Sequence, residues 1–464
     1  MKYEYKWQVL IIVCIGIFMS TLDGSILNIA NPTIARKLNV NMGQIQWIVT
    51  SYMLVITSSL LFFGWLGDKI GSEKIYTRGF LVFTAGSFIC STSHTLSFLI
   101  TARMLQAFGA SMMMSTGIGI ISNTFPPGER GKALGLTGSM VGIGNVAGPA
   151  LGGLLVAHYS WNIIFLINVP IGIIGFFMAF KYLKVQPVII EKSKYDVMGT
   201  ILFALFAALL ILTLVGSSSI NFYTLITAFL ALAAFGWYEK KILYPLIDFK
   251  LFKIHNFVQG NMMGMAAYSS QTFVFFLLPF FLERILKISP AYTGLLMAIP
   301  PVIMIMCAPL AGFVSDRLGS SLLTMASFSL QAIAYLLLST LSETSSTAVI
   351  AAILAILGTG MAMFGSPNNS SILGSIPHEK AGYAGGFIST VRNLSYCLGT
   401  AVSVSIFTLL LKQHMHTLSY TQAYINAAHA VYWLGLGIAC IGLLISLWRP
   451  KTSLNSSRNK TTDF

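Results

Sequence analysis

The chain has 464 residues, of which 55% are hydrophobic and only 9% charged, with a mean hydropathy of +0.78. Soluble domains carry about 25% charged residues, so this composition excludes a soluble globular protein. The net charge of +14 would suit nucleic acid in a soluble chain, but in so apolar a chain its distribution has to be read against a bilayer first.

Apolar runs of roughly 20 residues recur throughout, each long enough to cross a hydrocarbon core as a helix. The short alternating segments of a membrane β-barrel are absent. Fourteen spans are predicted, at about 8–30, 44–65, 75–93, 97–124, 132–157, 161–183, 196–216, 221–238, 256–282, 291–314, 320–341, 346–372, 381–411 and 426–448. The first run exceeds a usual signal-peptide core and leads into further spans, so it is expected to be retained. With the N-terminus in the cytoplasm, five bases fall outside (Arg36, Lys37, Arg284, Lys287, Lys412), two lie within spans (Arg103, Arg392), and the other Lys and Arg are cytoplasmic. This is the positive-inside asymmetry, and it predicts a multi-pass protein with both termini cytoplasmic. The basic excess is therefore a topology signal, and no nucleic-acid partner is expected.

Asp23 lies in the first run, QVLIIVCIGIFMSTLDGSILNIA, and is the one carboxylate of the chain's 14 expected well inside a span. Fifteen residues separate it from Gln8, or roughly 22 Å of helix rise, which places it past the membrane midpoint. An ionised carboxylate in hydrocarbon costs several kcal/mol, so it marks a functional site by default. Burial favours the protonated acid, which makes Asp23 a candidate proton carrier. The structural alternative is an Asp that caps a broken helix or pairs with a base.

Further along, GWLGDKIG (64–71) and GFVSDRLG (312–319) share the pattern G-x-x-x-D-[K/R]-x-G. Both are expected in short cytoplasmic loops, where Gly64 and Gly71 allow a tight turn. Asp68 and Asp316 would meet a helix N-terminus or an Arg, and Lys69 and Arg317 would face the cytoplasm. Two copies at equivalent places indicate an internal repeat, the usual architecture of secondary transporters. Their 248-residue offset exceeds the ~180–200 residues six spans need. The excess fits two helices inserted at 196–216 and 221–238.

The predicted organisation is a six-helix bundle at 1–190, two inserted helices at 191–240, a cytoplasmic amphipathic linker at 241–255, a second six-helix bundle at 256–450 and a cytoplasmic tail at 451–464. Arg103 lies about five residues into its span, next to the side where the positive-inside preference disfavours bases, and shares a helix face with Gln106; snorkelling to the surface is the alternative. In GSMVGIGNVAGPALGG (138–153), Gly138, Gly142, Gly148 and Gly152 belong to a helix face without side chains, and Pro149 adds a kink. That suits either a gate or a static close contact. The five cysteines show no disulfide or metal spacing. The H-x-H of His414 and His416 reads as a solvated loop, and no phosphate-binding G-x-x-x-x-G-K-[ST] is present. No metal, no cofactor and no enzymatic activity are expected.

Taken together, these motifs resemble the major facilitator superfamily over essentially the whole chain, and more closely its fourteen-helix drug:proton antiporter (EmrB/QacA-like) branch. LDGSILNIANP (22–32) is similar to the first-helix signature of that branch, GWLGDKIGSEK (64–74) to the superfamily loop motif, Arg103, Gln106 and Gly109 to the fourth-helix motif, and 138–153 to the antiporter motif. The resemblance implies two six-helix bundles plus two central helices, proton handling by Asp23 with Arg103, and export rather than import. It also implies a cavity lined by Asn28, Tyr52, Met113, Asn145, Tyr268 and Gln271, and a structural role for Arg392 near the cytoplasmic gate. No acid lies between Lys380 and Lys412, which argues against divalent cations as substrates. With Asp23 so isolated, proton and substrate are expected to compete for one carboxylate. The expected function is proton-driven efflux of amphipathic monocationic or neutral drugs and dyes by a monomer in a bacterial cytoplasmic membrane. A dedicated exporter of one metabolite, antibiotic or lipid is the alternative.

Overall fold

The computed structural model describes residues 2–184, 196–215, 222–242, 249–376 and 381–447. Among these the regular elements are all helical: α1 (Lys2–Lys37), α2 (Met42–Ile70), α3 (Ser72–Ser91), α4 (Leu96–Thr124), α5 (Pro127–His158), α6 (Ile163–Leu166), α7 (Asn168–Tyr182), α8 (Val197–Val215), α9 (Phe222–Glu239), α10 (His255–Phe280), α11 (Pro290–Met297), α12 (Ile299–Leu318), α13 (Ser320–Leu338), α14 (Thr347–Ala362), α15 (Gly365–Gly374), α16 (Ala381–His414) and α17 (Tyr420–Leu447). A π turn, Phe281–Ile285, prolongs α10. Helix covers each predicted span, and among the described residues ten segments are long and apolar enough to cross a membrane. The helices at 44–65, 75–93, 196–216 and 221–238 are not among those ten. Some predicted single spans are pairs of helices. α11 and α12 break at Ala298, just before Pro300 and Pro301, whose missing N–H groups suit the first turn of a new helix.

Helices α1–α7 pack as one bundle and α10–α17 as another, while α8 pairs with α9 and touches both bundles through α2 and α16. Lipid is as apolar as leucine, so close backbone approach takes over from the hydrophobic drive between such helices. A Cβ on Gly86 of α3 would lie 2.6 Å from the Gln106 Cα of α4, which is why these two helices can touch along their length.

The repeated octapeptides are helix, not loop as expected. Each forms the last turns of its helix, α2 or α12, and a single glycine makes the connection to the next. Gly71 has φ 107° and Gly319 φ 87°, backbone conformations that side-chain-bearing residues rarely adopt. The two copies match further: Lys69 sits over the Trp65 ring at 5.0 Å and Arg317 over the Phe313 ring at 4.2 Å, each four residues back on its own helix. The side chains of Asp68 and Asp316 lie outside those described. Of the predicted amphipathic linker, 243–248 also lies outside the described residues, and the chain then forms a 3-10 turn, Phe249–Lys253, before entering α10. The predicted tail, 451–464, lies outside them as well.

Both ends of the described chain lie at one end of the molecule. There Lys6 pairs with Glu129, the Lys184 N–H donates to the Tyr5 hydroxyl, and Gln259 donates to the Ile445 carbonyl. At the opposite end Thr33 donates to Glu283 across the two bundles at 3.5 Å. The bundles meet closely toward this far end: Gly153 of α5 lies against Pro290 and Gly294 of α11, and the Cys397 thiol of α16 donates to the Thr50 carbonyl of α2. Toward the termini, Gly138, Gly374, Gly385 and Gly386 face open space.

Candidate functional site

Asp23 is fully buried inside the first bundle, where four helices converge on it. Arg103 Nη1 donates to its Oδ2 at 2.6 Å, while Gln106 Nε2 and Asn168 Nδ2 donate to its Oδ1 at 2.8 and 2.9 Å. Arg103 Nη1 also reaches Gln106 Oε1 at 2.6 Å, and Gln106 Nε2 donates to Ser87 Oγ at 2.8 Å. The guanidinium stacks on the Tyr52 ring at 3.9 Å. Three donors and one cation satisfy an ionised carboxylate. A proton on Asp23 would cancel the ion pair and leave the Arg103 charge to Gln106 and the Tyr52 face. The charged and the protonated forms of Asp23 would therefore be bonded differently, the property a coupling switch requires.

Sequence reasoning found Asp23, Arg103 and Gln106 but missed Asn168 and Ser87. Asn168 carried a usable signal, an amide inside the apolar run LINVPIG, because a buried amide has to find a partner.

A cavity of about 320 Å³ lies between the two bundles. Its wall on α1 is Ser20, Thr21, Gly24, Ser25, Asn28 and Ile29, one stripe of the helix. At 100° per residue Asp23 points roughly 150° away from the middle of that stripe, into the bundle. Tyr52 lines the cavity and stacks on Arg103, so its ring stands between the ligand space and the ion pair. The carboxylate is sealed from the cavity in this conformation, which corrects the expectation that substrate and proton meet at Asp23.

Of the six expected cavity residues, Asn28, Tyr52, Asn145 and Gln271 line it. Met113 does not: it is buried in the first bundle near Gly16 and Gly79, and its neighbour Met114 takes the cavity position. Tyr268 is packed edge-on against Phe364 and Tyr396, and only Tyr396 reaches the wall. Arg392 lines the cavity too, and among the described residues that do so it is the one charged side chain. Met304 and Met361 also line the space, whereas Met262, Met265 and Met306 are exposed and are not among its lining residues.

The glycine-rich α5 has two working faces. A Cβ on Gly144, Gly148 or Gly152 would strike α1 at Thr21, Ser25 or Ile26, and Ser25 Oγ donates to the Gly144 carbonyl at 3.0 Å. Gly142 and Gly153 instead meet the second bundle, at Ile305 and at Gly294. Pro149 lines the cavity, and its carbonyl abuts Gly294. Gly138 meets nothing. Gly153→Val is accordingly expected to wedge the closed end apart. Amide hydrogen exchange in α5 and α11 should rise at that end, and unchanged exchange would show that the contact does not hold the bundles together.

Two helical bundles around a shared cavity, with a buried ion pair beside it, suit a membrane transporter. The family model described as Major Facilitator Superfamily matches residues 13–400, and the chain belongs to that family. It is 48% identical over 446 residues to the riboflavin transporter RibZ of Clostridioides difficile (strain 630), covering 96% of this chain and 98% of that one. It is 30% identical to the tetracenomycin C resistance and export protein of Streptomyces glaucescens, covering 85% of this chain and 75% of that one. Such drug-export relatives accord with the drug:proton antiporter branch. The fold is shared with a bacterial homolog of the human lysosomal transporter Spinster, solved inward-facing and unoccupied, with a TM-score of 0.68, 13% identity, and 96% and 99% of the two chains covered.

Proposed function

We propose that this chain carries a neutral, planar, hydrogen-bonding metabolite of the riboflavin kind across a bacterial cytoplasmic membrane, by alternating access coupled to protons. The observation that carries this reading is the cavity wall, which presents the amides of Asn28, Asn145, Gln271 and Asn393 and the rings of Phe275, Phe276 and Tyr396 but no carboxylate. Apolar walls with a few placed polar groups suit a small uncharged ligand, and ~300 Å³ is the small end of such sites. A lipophilic cation would find no counter-charge there. The strong similarity to a riboflavin transporter supports the same conclusion, so a dedicated carrier is favoured over broad drug efflux. Fourteen spans, cytoplasmic termini, a monomeric state and a proton gradient as the sole driving force belong to this proposal.

The similarity to a drug exporter and the flexible thioethers of Met114, Met304 and Met361 in the wall support a second reading, export of several amphipathic compounds. Transport in vesicles decides between them. Saturable riboflavin movement that a large excess of ethidium does not inhibit is the expected result; ethidium transport without riboflavin transport would sink the first reading. Antiport requires that riboflavin leave the cytoplasmic side as protons enter, and co-directional flow would remove that part of the mechanism.

A further inference from the structure

Arg392 lies in the middle of α16, half-buried in the cavity wall, and among the described residues it has no carboxylate partner. A guanidinium keeps its proton in proteins and presents donors only. Next to it, Asn393 also lines the cavity, and its buried Nδ2 has no hydrogen-bond partner. Across the seam, the Cys397 thiol bonds the Thr50 carbonyl, and this contact sets the register of α16 against α2. One turn nearer the termini, that register brings Tyr52 toward the Asn393–Tyr396 turn, and the buried Tyr52 hydroxyl is likewise unpartnered. On the same helix Tyr396 lines the cavity, its ring held by the Tyr268 ring packed behind it at 5.6 Å. Around the seam between α16 and α2 the cavity thus holds a permanent cation and two unsatisfied polar groups, Arg392 and Asn393 from the second bundle and Tyr52 from the first.

We propose that Arg392, with Asn393 and Tyr52, forms a subsite that reads acceptor oxygens on the substrate, such as a cyclic imide or a carboxylate, and that Arg392 excludes cations. This rests on the central cavity being the transport site of the proposed function. Unpaired buried polar groups are costly, so a ligand that supplies acceptors gains from all three, and one that brings a positive charge meets repulsion in a low-dielectric space. The subsite also divides the labour: Arg103 serves the proton-linked Asp23 within the first bundle, and Arg392 serves the substrate from the second.

The test measures equilibrium binding of three planar probes to the full-length protein in nanodiscs: neutral riboflavin, anionic fluorescein and cationic ethidium. Wild type is expected to bind fluorescein or riboflavin more tightly than ethidium. Arg392→Glu should reverse that order, Arg392→Gln should weaken the two acceptor-bearing probes about 10- to 100-fold, and Arg392→Lys should keep the order. Monodisperse elution and unchanged helicity of each variant separate a binding effect from misfolding, and an intact Arg392→Lys protein keeps the test decisive if the Glu variant fails. Ethidium preference in wild type, an order unchanged in Arg392→Glu, or binding of none of the probes would overturn the subsite. Should riboflavin alone fail to bind wild type, the proposed substrate falls, while fluorescein and ethidium still decide the role of Arg392.

Discussion

Replacing Asp23 by Asn should uncouple transport from the proton gradient while leaving substrate exchange intact. The amide is nearly isosteric and can still accept from Asn168 and Gln106 through its carbonyl oxygen, so the four-helix junction keeps most of its bonds. What is lost is the carboxylate that pairs with Arg103, the group proposed to take up the coupled proton. Each pH unit of gradient supplies about 1.4 kcal/mol per proton, a factor of ten in accumulation. In proteoliposomes, the variant should therefore lose about tenfold of its steady-state substrate ratio per imposed pH unit, while counterflow at equal pH persists. Because Asp23 is sealed from the cavity behind Tyr52, substrate affinity should change little. Retention of pH-driven accumulation would remove Asp23 from the coupling mechanism.

Replacing Arg103 by Ala should be more damaging to the protein itself. The carboxylate would keep its two amide donors but lose its only cation, with both partners at most 1% exposed. Breaking a buried ion pair from one side costs about 3–5 kcal/mol, most of it the burden of the charge left behind. The Tyr52 and Phe165 rings would also lose the guanidinium between them. The sign of the double variant is the sharper measurement: Asp23→Asn combined with Arg103→Ala removes the stranded charge and should be more stable to heat in detergent than Arg103→Ala alone. Equal melting of the two would mean that the Asp23 charge left behind by Arg103→Ala carries no cost. Transport by Arg103→Ala should be abolished even in protein that reaches the membrane, since the one cation that pairs with the Asp23 carboxylate among the described residues is then gone.

Much of this was legible in the residue order because a bilayer imposes strict rules. Backbone polar groups in hydrocarbon must be paired within the segment, so every long apolar run has to be a helix. An isolated Asp or Arg within such a run has to find a partner, and the resemblance to the antiporter branch pointed to Arg103 as the partner of Asp23. The repeated octapeptide is equally visible, yet its residues point to the wrong conformation. Glycine and charge suggest a loop, whereas the helix runs through both and the turn is concentrated in one positive-φ glycine at Gly71 and at Gly319.

The side chains around the ligand space are harder to read. Met113 and Met114, or Tyr268 and Tyr396, are alike in composition and hydropathy. Which of each pair faces the cavity depends on helix rotation, and in a membrane no polar face marks the inside. Composition and order by themselves determined that this chain is a bundle of membrane helices, duplicated, with one acid and one base buried in its first half. Only the tertiary structure decided that the acid is shut away from the cavity and that Arg392 of the second half faces it with no carboxylate partner among the described residues. The reason is physical: the cost of a buried charge shows that a partner must exist, but the 100° step between successive residues on packed helices decides which group meets the proton site and which meets the substrate.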